Sequence, residues 1–138
     1  MKIVYILDAC ALIAALTNEE GADIVKSIFE KEADNEADIY MNKINLLEVY
    51  YNICRQYGII AADNLLKEIE KSPVIIKANL ADDVFREAGK LKATYKISLA
   101  DSIALAEASV SGGALVTSDH HEFDIIEKSE DIKFLWIR

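Results

Sequence analysis

The chain has 138 residues, enough for one compact core, and its balance of 52% hydrophobic to 28% charged residues is that of a folded protein rather than a disordered one. Lys and Arg number 15 against 24 Asp and Glu, a net charge of −9 that argues against a surface built to hold nucleic acid by positive charge. No apolar run is long enough to cross a membrane, the start lacks a basic leader and a small-residue cleavage site, and two cysteines make no disulfide framework, so one cytoplasmic domain over 1–138 is expected.

The run Lys2-Ile3-Val4-Tyr5-Ile6-Leu7 reads as a strand buried on both faces, and it ends on Asp8. In open α/β sheets ligands bind beyond the carboxyl ends of the strands, so Asp8 stands where chemistry is usually placed. Asp is also a favoured helix cap, and a helix starting at Ala9 would use it so. That helix, Ala9 to Leu16, is almost wholly apolar and closes at Asn18-Glu19-Glu20-Gly21. A second runs from Ala22 to about Lys31 with Ile24, Ile28 and Phe29 inward; an acidic stretch over Glu30–Asp38 and a short strand Ile39-Tyr40-Met41 follow.

The segment from Asn42 to Tyr57 reads as a helix closed by Gly58. Helical spacing projects Glu48 between Ile44, Leu47 and Tyr51, on the side expected to face the protein, where a carboxylate needs a partner or a cation. The competing reading puts it at the edge of the apolar stripe, reaching solvent. Another helix spans Ala61 to Lys71, stopped by Ser72-Pro73, and Val74-Ile75-Ile76 supplies a third strand.

Asn79 is a candidate cap for a helix running to about Tyr95, which carries Arg86, Lys90 and Lys92, with Lys96 just beyond. Ser98 caps a small-residue helix in which Asp101 stands in the first turn, and Gly112-Gly113 ends it. Ala114-Leu115-Val116-Thr117 is a fourth strand leading into Ser118-Asp119-His120-His121-Glu122, in which Asp119 is a candidate helix cap and the two histidines read as loop residues, and Ile132 to Ile137 closes the chain as a strand. Strand and helix alternate throughout, which predicts an α/β sandwich with a mainly parallel sheet.

Asp8 and Asp119 each follow a strand, Asp101 opens the helix before the second of those strands, and Glu48 faces inward from another helix. Brought together, such acids repel and raise one another's pKa unless a cation neutralises them. Carboxylate oxygens suit Mg²⁺ or Mn²⁺, and one or two such ions orient a water and stabilise charge on a phosphodiester. The adjacent pair His120 and His121 lies at no finger-like spacing from either cysteine, so zinc is not indicated. Asp124 is an alternative last acid, farther from the strand end than Asp119.

Taken in order, Leu7-Asp8, Asn45-Leu46-Leu47-Glu48-Val49, Ile97-Ser98-Leu99-Ala100-Asp101-Ser102 and Leu115-Val116-Thr117-Ser118-Asp119-His120-His121-Glu122-Phe123 carry a resemblance that covers essentially the whole chain. The sequence resembles a PIN-domain ribonuclease, of the kind found as the toxin half of VapBC-type toxin–antitoxin pairs. The resemblance implies a PIN-like three-layer sandwich and a metal site of Asp8, Glu48, Asp101 and Asp119, with Thr117 and Ser118 in support. It further implies Mg²⁺- or Mn²⁺-dependent cleavage of single-stranded or loop RNA, leaving a 5′-phosphate and a 3′-hydroxyl, by a homodimer restrained by an antitoxin protein. Cys10 departs from many relatives, which carry a small hydroxyl or amide residue at that position. Metal would neutralise part of the acidity, leaving Arg86, Lys90, Lys92 and Lys96 to track an RNA backbone. Two other readings compete. A phosphoryl-transfer domain of the haloacid-dehalogenase type wants an Asp where this chain has Cys10, and a non-catalytic PIN-fold interaction module has no need of all four acids.

Overall fold

The computed structural model describes residues 2–138. The elements are β1 (Ile3–Leu7), α1 (Ala9–Leu16), α2 (Ala22–Ala33), β2 (Ala37–Asn42), α3 (Lys43–Tyr57), α4 (Ile59–Lys71), β3 (Ile75–Lys77), α5 (Asp82–Thr94), α6 (Leu99–Ser111), β4 (Ala114–Thr117), α7 (His120–Ser129) and β5 (Lys133–Trp136). The strands form one sheet in the order β3-β2-β1-β4-β5, and every pairing is parallel. The expected sandwich is present, with a sheet wholly rather than mainly parallel.

Alternation along the strands builds a core on each face. Tyr5, Leu7, Ile39, Met41 and Val116 pack with the inner sides of α1 to α4, whereas Ile6 and Leu115 pack with α5, α6 and α7. This double cover is why β1 has no polar alternation. The chain leaves β1 towards β2 and β3, then returns to lay β4 and β5 on its other side, so the direction of winding reverses between β1 and β4. Such a reversal opens a crevice beyond the carboxyl ends of the two strands.

Two features fix the layers closely. Residues Ser102 to Ala108 of α6 are all buried, and the small Ser102, Ala104, Ala106 and Ala108 among them let this helix lie between the sheet and α5. Gly21 adopts φ 98°, and a Cβ there would come within 2.6 Å of the Ile137 carbonyl oxygen, so the turn into α2 requires glycine.

Several sequence expectations change. Residues Ala37 and Asp38 join β2 despite the acidic stretch, with Asp38 accepting from Lys2 Nζ at 3.4 Å. Helix α4 begins at Ile59, directly after Gly58, which separates it from α3. Asn79 does not cap α5; that helix starts after Ala81 with no side-chain cap, and Asp82 and Asp83 occupy its first turn. His120 and His121 form the first turn of α7 rather than a loop. The inward face of α3 is also not the one expected. Asn45, Leu46, Val49 and Ile53 are buried, while Ile44, Leu47 and Tyr51 are exposed. Apolar spacing alone did not distinguish these two sides, because α3 is apolar on both.

Candidate active site

The register of β1 against β4 sets Leu7 opposite Val116, so Asp8 and Thr117 emerge side by side at the reversal point. Asp8 is 2% exposed, and its Oδ1 accepts the Ala11 N–H at 2.9 Å to cap α1. The buried Thr117 hydroxyl stands beside it and acts to lower the Asp8 pKa. Its oxygen accepts the Asp119 N–H at 3.1 Å, which shapes the turn leaving β4. Asp119 then accepts the Glu122 N–H at 3.2 Å and caps α7. Both acids therefore serve as caps, and the caps hold their carboxylates still. Ser118 is half-buried between them and makes no side-chain hydrogen bond among the described residues.

Asp101 stands in the first turn of α6, where its N–H donates to Ser98 Oγ at 3.1 Å. Glu48 is half-buried on α3, one turn beyond Asn45. Asn45 Nδ2 donates to the Ala100 carbonyl at 3.0 Å and so joins the start of α3 to the start of α6. That bond also fixes the orientation of the amide, leaving Oδ1 buried without a donor.

These acids share one electrostatic field. Burial pushes Asp8 up to about 7; the Thr117 and Ala11 hydrogen bonds oppose the rise, and Asp101 and Asp119 add to it. Burial pushes Asp101 up to about 6, with the Ser98 hydrogen bond opposing and Glu48, Asp119 and Glu122 contributing. Glu48 is raised by its own burial and by Asp119. The Cys10 thiol, driven up to about 12 by burial and then by Asp8, Asp119, Asp101 and Glu48, stays protonated at neutral pH. No Lys or Arg forms a salt bridge with the four acids among the described residues.

Among the described residues, no group of three or more His, Cys, Asp or Glu is gathered closely enough to hold a metal ion. The donor chemistry is nonetheless that of a hard divalent cation: oxygen ligands, surplus negative charge and no competing ammonium or guanidinium.

Other candidates fall outside this cluster. The exposed Asp124 carboxylate lies 2.8 Å from His120 Nδ1, and His120 Nε2 lies 2.8 Å from the Arg138 carbonyl. Two acceptors around one ring raise the His120 pKa, and the ring stacks on Trp136 at 3.8 Å. His121 is exposed. Arg86, Lys90, Lys92 and Lys96 are exposed on α5 and the turn after it, with no salt bridges among the described residues. Sequence reasoning missed Glu122, whose only signal was its place three residues after Asp119, and it gave Asn45 no separate role.

A model of the PIN domain family matches residues 5–128. Among solved structures, VapBC2 from Rickettsia felis bound to a promoter DNA fragment is similar at 18% identity and TM-score 0.77, over 96% of this chain and 98% of that one. A toxin–antitoxin complex from Klebsiella pneumoniae gives 16% identity and TM-score 0.69, over 97% and 98%. VapC20 from Mycobacterium tuberculosis, a toxin that cleaves the sarcin–ricin loop, gives 15% identity and TM-score 0.65, over 88% and 94%. No curated protein matches the sequence significantly.

Proposed function

The chain belongs to the PIN domain family, and from that premise we propose that it is a metal-dependent endoribonuclease acting as the toxin of a toxin–antitoxin pair. What supports this reading is that Asp8, Glu48, Asp101 and Asp119 act on one another electrostatically and have no basic partner among the described residues.

In this reading the four carboxylates hold Mg²⁺ or Mn²⁺. When bound, such an ion would supply a water of lowered pKa and a positive charge to set against the scissile phosphodiester. The protein's part is orientation. The Ala11 N–H fixes the Asp8 carboxylate, with Thr117 beside it, the Glu122 N–H fixes that of Asp119, and Ser98 Oγ accepts the Asp101 N–H and so sets the start of α6. Burial withholds water from Asp8, which strengthens its interaction with any cation placed there. The protonated Cys10 thiol offers no thiolate to compete as a ligand.

The substrate in this proposal is single-stranded or loop RNA, with Arg86, Lys90, Lys92 and Lys96 along its backbone. The partners are a second copy of the chain and a basic antitoxin protein, for which the acidic balance of −9 and the exposed Ile44, Leu47 and Tyr51 of α3 are suited. Two of the similar solved structures are of toxin–antitoxin complexes, in keeping with such a pair. No helix among the described residues is long and apolar enough to cross a membrane, and the proposed place of action is the cytoplasm.

The test is cleavage of a mixed RNA pool by purified protein with Mg²⁺ or Mn²⁺, beside Asp8→Asn and Asp101→Asn variants and an EDTA control. Metal-dependent cutting lost in both variants is the expected result. A folded wild type that binds no divalent cation and cuts nothing would overturn the proposal in favour of an interaction module.

A further inference from the structure

Glu107 lies in the middle of α6 at 2% exposure, between alanines, and has no part in the chemistry above. A carboxylate so placed is unfavourable unless paired. It is paired twice: Oε2 accepts Asn42 Nδ2 at 2.8 Å, and Oε1 lies 3.3 Å from Lys77 Nζ. Asn42 and Lys77 face one another at the ends of β2 and β3. The Lys77 ammonium also lies 4.8 Å from the centre of the Tyr40 ring. Asn42 Oδ1 caps α3 by accepting the Ile44 N–H at 2.9 Å. One buried carboxylate thus ties two strand ends and the start of α3 to α6.

The Asn45 bond to the Ala100 carbonyl is a second tie between the same two helices. The start of α3 is thus bonded to α6 at two places, Glu107 and Ala100. Helix α3 carries Glu48, one turn past Asn45, and α6 carries Asp101, the residue after Ala100.

Stability alone is a weak reason for this arrangement, since replacing a buried ion pair by apolar residues is often neutral or favourable. Asn45 also leaves a buried oxygen without a donor, which is unfavourable in itself. What directional hydrogen bonds supply, and apolar contacts do not, is a fixed register. We propose that Asn42, Asn45 and Glu107 form a polar clip of positioning residues that sets the spacing of Glu48 and Asp101, and hence the divalent-cation affinity of the acid cluster. The inference rests on the metal-dependent reading above.

The test is Mn²⁺ titration by calorimetry on the full chain, with thermal melts recorded for each variant. Glu107→Ala and Asn45→Ala should weaken Mn²⁺ binding at least fivefold. Glu107→Gln, which still accepts from Asn42, should bind within twofold of wild type. Val25→Ala, on α2 and part of neither tie, should lower the melting temperature and leave the affinity unchanged. Unaltered binding in Glu107→Ala and Asn45→Ala, or an equal loss in Val25→Ala, would overturn the clip while leaving the metal reading intact. A wild type that binds no Mn²⁺ would overturn both. Should Glu107→Ala fail to fold, Asn45→Ala decides the question.

Discussion

Asp8 and Glu107 are equally hidden from water, each 2% exposed, and their surroundings are opposites. Glu107 has a lysine ammonium and an asparagine amide against its two oxygens. Asp8 has a hydroxyl, one backbone N–H and two further acids. The first carboxylate is satisfied within the protein. The second has no counter-charge beside it, and this difference in surroundings, not burial, is what distinguishes the two.

The contrast is most strongly tested by Asp8→Asn, which keeps an acceptor for the Ala11 N–H and removes the charge. RNA cleavage should fall roughly a thousandfold or more, corresponding to several kcal/mol of metal-held charge stabilisation. The melting temperature of the metal-free protein at neutral pH should rise at the same time. A fall in both would mean that Asp8 is a structural acid like Glu107.

The next largest effect concerns pH. The folded-state pKa of Asp8 is pushed up to about 7 from 3.8, so across that window the folded protein keeps a proton that the unfolded chain releases. Stability from this source is fully present below about pH 4 and is lost as pH rises through 7. Asp101 acts in the same sense up to about 6. Metal-free protein should therefore melt progressively lower from pH 4 to 7.5, and millimolar Mn²⁺ at pH 7.5 should restore on the order of 5–10 °C, measured by circular dichroism. An unchanged melting temperature with Mn²⁺ would remove the cation from the account.

Lys77→Met strips Glu107 of its counter-charge. Breaking a fully buried pair costs about 3–5 kcal/mol, and because the Lys77 side chain is 36% exposed the expected loss is smaller, about 1–2 kcal/mol by urea unfolding. No loss would make the Glu107 pairing incidental. The smallest effect belongs to Arg86→Glu and Lys90→Glu, exposed charges away from both buried acids. They should raise the KM for RNA severalfold at low salt, leave kcat unaltered, and lose the difference at high salt.

The strands and most helices were legible in the sequence because period and punctuation are local. The β1 run, the Gly58 stop, the Ser98 cap and the Gly112 end of α6 needed no tertiary information. The side on which α3 is buried was not legible, because Ile44, Leu47 and Tyr51 match the core-facing set in character, and only packing on α4 and the sheet decides between them. Glu107 was invisible for a related reason. Its partners Asn42 and Lys77 lie 65 and 30 residues away, and no local pattern marks such a pairing.

The sequence by itself determined that the chain alternates strands and helices, that the strands are buried on both faces, and that Asp8 and Asp119 stand at strand ends, where they also cap helices. These follow from side-chain chemistry and spacing along one chain. The tertiary structure decided that β4 returns beside β1 rather than beside β3, and this choice sets Asp8 next to Thr117 and near Asp101 and Asp119. It also decided which buried carboxylate received a lysine and which did not, because strand order, unlike strand formation, is settled by the packing of elements far apart in the chain.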